Sequence, residues 1–231
     1  MKKILILSTF IFSTLLAFAQ ESEIRDVSSF DGISLGSSGT LFLTIGSEQK
    51  VELKGKSSVF EDIITEVRGN TLVIKQRSSS GWFNWSNSED FDVYITAPSI
   101  QALDVSGSGR IYGKNKITSD QLDLGVSGSG RMEIDVDASM IEASVSGSGK
   151  IMVDGTGKDL EIHISGSGSV DAEHLKVENV EARISGSGRC EVNVSKSIDA
   201  HISGSGSVYY KGDPDKVNSN TSGSGRVKKI S

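Results

Sequence analysis

Two rows of charged residues hold most of the chemistry this chain could do, and one tetrapeptide sets both. Ser-Gly-Ser-Gly begins at Ser106, Ser127, Ser146, Ser165, Ser185, Ser203 and Ser222. Four residues before five of these copies stand Asp123, Glu142, Glu161, Glu181 and Asp199. Four residues after the start of every copy stand Arg110, Arg131, Lys150, Ser169, Arg189, Ser207 and Arg226. If successive copies stack, the first set becomes a ladder of carboxylates, the ligand type that divalent cations prefer. The second becomes a mostly basic ladder suited to an acidic polysaccharide. A charged solvent face that keeps sheets from aggregating explains both ladders as well.

The segment Ser78 to Asp90 is the other candidate contact. It holds Trp82, Phe83 and Trp85, including both tryptophans of the chain, among serine and acidic residues. Flat aromatic rings on a loop suit sugar faces and protein partners; folded back over the body of the protein they would only cover core. His163 and His201 share one phase of the repeat with Arg183 between them, which reads as an outward polar row rather than a metal pair. His174 has no evident partner. Cys190, the only cysteine, falls on an inward phase and reads as a small core residue.

Signals for catalysis are missing. The Ser-Gly-Ser-Gly copies are out of phase with a Gly-x-Ser-x-Gly elbow. Gly55-Lys56-Ser57 lacks the glycine five residues upstream that a phosphate loop requires. No catalytic residue and no cofactor is expected. The charged ladders leave open a polysaccharide lyase built from a cation and a base.

These residues need a scaffold that repeats in step with them. The intervals between tetrapeptides are 21, 19, 19, 20, 18 and 19 residues. Between copies the pattern alternates, as in Leu122, Leu124, Val126 and in Leu160, Ile162, Ile164; after each copy a second alternation begins, as in Met132, Ile134, Val136. Alternation of this kind is a strand with one face buried. A steady return at about 19 residues is a solenoid signature, and only stacking buries the apolar faces. The reading is an all-β, single-stranded parallel β-helix, right-handed by crossover chirality, with two short strands per coil joined at a Ser-Gly-Ser-Gly corner, plus a looser return. Glycine tolerates positive φ there and carries no Cβ to crowd the next coil. The serine hydroxyls are expected to bond local backbone or the neighbouring coil.

Residues 20–98 read as the same architecture in degenerate form, followed by regular coils over 99–231. Gly36-Ser37-Ser38-Gly39 is an imperfect corner, Gly69-Asn70 a turn, and Thr40–Ile45, Lys50–Lys54 and Thr71–Lys75 are strands. Ser58 to Ile64 is expected to hold one helical turn, capped by Ser58 with Glu61 three residues on, closing the open end of the rod.

Residues 1–19 have the form of a signal peptide, with Lys2 and Lys3, an apolar stretch to Phe18, and Ala17-Phe18-Ala19 as the cleavage site. Of 24 basic residues, removal of Lys2 and Lys3 leaves 22 against 30 acidic ones, a net charge of −8. So acidic a chain is a poor nucleic-acid partner. No later stretch is apolar for long enough to span a bilayer.

The chain resembles the head GIN domain family, described as putative auto-transporter adhesins. The resemblance rests on Phe30-Asp31-Gly32-Ile33, on Val67-Arg68-Gly69-Asn70-Thr71-Leu72-Val73-Ile74, on Val93-Tyr94-Ile95-Thr96-Ala97-Pro98 and on the Ser-Gly-Ser-Gly series. It implies a pectin-lyase-like β-helix with Gly-Ser-Gly turns and a role in cell adhesion, without established catalytic residues. The expectation is an exported, non-enzymatic binding module of the periplasm, cell surface or medium that contacts a glycan or protein. A lyase and a purely structural envelope protein are the alternatives. Oligomeric state is left open.

Overall fold

The computed structural model describes residues 21–77 and 91–230. The signal peptide expected at 1–19 therefore lies outside the described residues. The chain enters through β1 (Glu21–Arg25), β2 (Gly32–Gly36), β3 (Thr40–Ile45), β4 (Lys50–Gly55), a single turn α1 (Ser57–Phe60), β5 (Ile63–Arg68), β6 (Thr71–Gln76) and β7 (Asp92–Ala97). It continues through β8 (Ala102–Gly107), β9 (Arg110–Gly113), β10 (Ile117–Gly128), β11 (Arg131–Gly147), β12 (Lys150–Gly166), β13 (Ser169–Gly186) and β14 (Arg189–Gly204). It ends with β15 (Ser207–Lys211), β16 (Lys216–Gly223) and β17 (Arg226–Lys229).

From β8 onward every coil pairs in parallel with the next, with like phases opposite one another: Ser127 faces Ser146, which faces Ser165, then Ser185, Ser203 and Ser222. This is the β-solenoid expected from the period. Its core is built of stacked columns of apolar residues, for example Val126, Val145, Ile164, Ile184 and Ile202, all buried. In the last coil Thr221 and Ser219 take the places that Ile202 and Ala200 hold one coil earlier, so the inward column turns polar where the rod ends.

The corner works through its glycines. The first glycine of each tetrapeptide has positive φ, 109° at Gly147, and its carbonyl accepts the amide of the second serine one coil on: Ser148 N–H to Gly128 O and Ser167 N–H to Gly147 O, both 2.8 Å. A Cβ on Gly147 would stand 2.7 Å from the Gly128 carbonyl oxygen, so only glycine lets this ladder close. The second glycine faces inward, and a Cβ on Gly149 would enter the space of Val126. The serine hydroxyls do not bond as expected: among the described residues, none in the Ser-Gly-Ser-Gly corners makes a hydrogen bond within the chain. The backbone alone satisfies the turn, which leaves the hydroxyls facing water.

Two further expectations are corrected. The return is not loose, because β11, β12 and β13 run as paired strand from one corner to the next. Variation in coil length is absorbed there, by register shifts beside Met152, Ala172 and Val177, so the corners stay aligned. The N-terminal coils also do not follow chain order. β2 lies between β6 and β8, and β3 between β7 and β9, so the coil β2–β3 is inserted between β6–β7 and β8–β9. The end is closed by antiparallel strands, β5 on β6 and β4 on β7 with β1 outside β4. The cap of α1 lies two residues earlier than expected, at Lys56 instead of Ser58, with no side-chain capping bond; burial of Val59 and Phe60 holds the turn in place.

Candidate functional site

A long concavity runs along the outside of the rod, immediately before the corners. It is a groove of about 720 Å³, open along its length. One wall is the column Asp104, Gly125, Ser144, His163, Arg183, His201 and Asn220, two residues before each corner; the other is the hydroxyl column Ser127, Ser146, Ser165, Ser185, Ser203 and Ser222. The backbone of the strand between them forms the floor. At about 4.8 Å per coil, the six steps from Asp104 to Asn220 extend roughly 29 Å.

Small residues make the groove and tall ones make its wall. At one end Asp104 folds over Gly125, where its carboxylate occupies the space that a Cβ would need. The residue is exposed overall, yet this position takes the carboxyl partly out of water and holds its pKa above the usual carboxylate range. Further along, His163 Nε2 lies 2.9 Å from Glu161 Oε1, and the Arg183 guanidinium donates to that same oxygen at 2.8 Å and also pairs with Glu181. His201 Nε2 lies 3.0 Å from Asp199. Each of these three side chains is thus matched by a carboxylate on the side away from the groove.

The carboxylates expected as a ladder do share one column: Asp123 faces Glu142, then Glu161, Glu181 and Asp199. Its members from Glu161 onward are the partners of the His and Arg row just described. The basic ladder is likewise one column, Arg110, Arg131, Lys150, Ser169, Arg189, Ser207 and Arg226, on the sheet after the corner. Lys150 pairs with Asp171 at 3.1 Å and Arg189 with Glu191 at 2.5 Å. Among the described residues, the three carboxylates near enough to share an ion are a different set, Asp171, Glu173 and Glu191. Lys150, Lys211 and Arg189 already neutralise them, and the Lys211 ammonium holds the Glu173 carboxyl below its usual range. Trp82, Phe83 and Trp85 lie outside the described residues.

An aromatic column went unnoticed in the sequence. Phe42 stacks between Tyr94 and Tyr112, with centroids 5.0 and 5.9 Å away, and Lys54 stands 4.2 Å over the Tyr94 ring. The rings face one another along the rod, so they brace the inserted coil. Only knowledge that residues 42, 94 and 112 share a register position could have revealed it. Cys190 is fully buried, as expected, and burial pushes its thiol up to about 12. His174 is exposed.

The family model described as "Putative auto-transporter adhesin, head GIN domain" matches residues 29–214. The chain belongs to this family. Solved structures with the same fold accompany the head GIN domain match. A putative adhesin from Bacteroides fragilis NCTC 9343 is 26% identical, with 93% of this chain and 98% of that chain covered and a TM-score of 0.84. A putative lipid binding protein from Parabacteroides distasonis ATCC 8503 is 23% identical, covering 92% and 97% with a TM-score of 0.75. A putative adhesin from the same strain is also 23% identical, covering 91% and 97% with a TM-score of 0.72. Among curated proteins no relative matches. Among the described residues, no helix of this head GIN domain protein is long and apolar enough to cross a membrane.

Proposed function

We propose that this head GIN domain protein is an exported, non-enzymatic adhesion module of the cell envelope or surface, and that it holds glycans or other surface polymers along the groove from Asp104 to Ser222. The observation that carries this reading is the groove itself, an open channel flanked by serine hydroxyls that have no hydrogen-bond partner among the described residues. A polymer can lie in such a channel without threading an end, which suits attachment to a surface.

A non-enzymatic role is supported by the way the reactive groups are engaged. His163 is turned to Glu161 and His201 to Asp199, and no hydrogen bond joins either histidine to a groove serine among the described residues. An activated serine needs such a contact. The name of the lipid-binding relative raises a second ligand, and the groove's lining, more apolar than polar, is open to it; retention on lipid vesicles in place of polysaccharide would favour that ligand.

The test is retention of labelled mature protein on bacterial cells and purified envelope polysaccharide. Ser165→Trp fills the middle of the groove and is expected to abolish retention. Trp82→Ala/Trp85→Ala is expected to keep it. The reverse pattern transfers the contact to the 78–90 segment and overturns the groove reading.

A further inference from the structure

Given the proposed groove as the contact surface, we infer that its ligand is a neutral, linear, extended glycan laid parallel to the rod with about one sugar residue per coil.

Three features of the groove point to that chemistry. The first is its charge. His163, Arg183 and His201 each have a carboxylate partner outside the groove, in Glu161, Glu181 and Asp199. Asp104, the other ionisable side chain of the lining, is an acid and offers an anion no counter-charge. Arg183, the one Lys or Arg of the lining, is spoken for, so a carboxylated or sulfated chain would find no unpaired guanidinium or ammonium there. The basic ladder that an acidic polysaccharide would need stands on the other side of the corner, at Arg110, Arg131 and Arg189.

The second feature is hydrogen bonding. Ser127, Ser146, Ser165, Ser185, Ser203 and Ser222 present hydroxyls that both donate and accept. Ser144 and Asn220 do the same from the opposite wall. Polyols are the ligand class whose own groups donate and accept in this way at every position. The third feature is period. Successive hydroxyls stand about 4.8 Å apart, close to the length of one pyranose in an extended chain. An extended glycan therefore meets the same partner at each coil, whereas a coiled one loses register after two or three.

Isothermal titration of the mature protein separates these possibilities. The probes are cello- and chito-oligosaccharides of two to seven residues as extended neutral chains, malto-oligosaccharides as coiled neutral chains, and oligogalacturonates as extended acidic ones. Affinity for the extended neutral series is expected to rise with each residue to about six, gaining at least about tenfold over the dimer. Malto- and oligogalacturonate series of equal length are expected to bind more weakly and gain less. Ser165→Trp splits the groove into two short halves and is expected to erase the gain with length. Ser167→Trp, in the serine column just outside the groove, controls for folding and is expected to keep it. Tighter binding of oligogalacturonate that Ser165→Trp still abolishes overturns the neutral ligand and leaves the groove as the contact. Binding that ignores Ser165→Trp overturns both. Absence of binding by every series, with cells still retained in the groove-dependent manner above, overturns the glycan class alone.

Discussion

Arg183 reaches back one coil to Glu161, donating from Nη1 to Oε1 at 2.8 Å. The same oxygen meets His163 from its own coil at 2.9 Å. The contact ties adjacent coils together and fixes the tallest part of the groove wall. Because both side chains are well exposed, at 48% and 36%, its contribution to stability is expected to be about 1 kcal/mol or less. A double-mutant cycle of Glu161→Gln and Arg183→Met, followed by urea unfolding, is expected to give a coupling of that size that shrinks at high salt. A coupling of several kcal/mol would mean that the wall is a structural keystone.

Corner glycines carry more. Gly147 has φ of 109°, outside the range an L-residue adopts easily, and a side chain there would collide with the backbone oxygen that accepts Ser148 N–H. Gly147→Ala is expected to cost more than about 3 kcal/mol. Gly69 has φ of 61° with open space around its missing Cβ, so Gly69→Ala is expected to cost only about 1 kcal/mol. Denaturant midpoints of the two variants check the ranking.

Cys190 provides a pH dependence with a definite sign. Its thiol is raised to about 12 in the fold, against about 8.5 in an unfolded chain. Below the unfolded value both states hold the proton and nothing is lost. Above it the unfolded state alone releases the proton, so stability falls as pH rises from about 8.5 toward 12. Cys190→Ser is expected to flatten that part of the stability curve. A thiol reagent added to native protein at pH 8 is expected to react no faster than the protein unfolds.

Calcium is expected to leave the melting temperature unchanged. Asp171, Glu173 and Glu191 are close enough to share an ion but are held by Lys150, Lys211 and Arg189, and the column from Asp123 to Asp199 is spread at one carboxylate per coil. Thermal unfolding with millimolar calcium and with chelator checks this. A clear rise in melting temperature would restore the carboxylate clusters as a metal site.

The regular coils were legible because both signals that specify them, alternation within a strand and spacing between corners, are local in sequence. Cys190 as core and the two charged columns follow from phase alone. The order of the N-terminal coils was not legible. Alternation tells which face of β2 is buried, but it reads the same whether the neighbour is β4 or β6, and the aromatic stack of Phe42 with Tyr94 and Tyr112 was hidden for that reason. The groove was missed differently. In sequence His163, Arg183 and His201 form a solvated row, which they are from one side. That the row is also a wall depends on the small side chains of Gly125 and Ser144 in line with it and on the serines opposite, and depth of this kind comes from neighbours in space. The role expected of the serine hydroxyls failed because the glycine carbonyls already close the turn.

Every surface described here depends on like phases rising in even steps along the rod. Nitroxide labels at Ser144 paired in turn with His163, Arg183 and His201 read that rise by dipolar coupling, since the four positions lie on successive coils. The expected separations grow steadily, by about 4.8 Å of rise per coil, after allowance for the label arms. Distances that fail to increase in that order, or that jump between Arg183 and His201, would contradict the column and remove the groove with it.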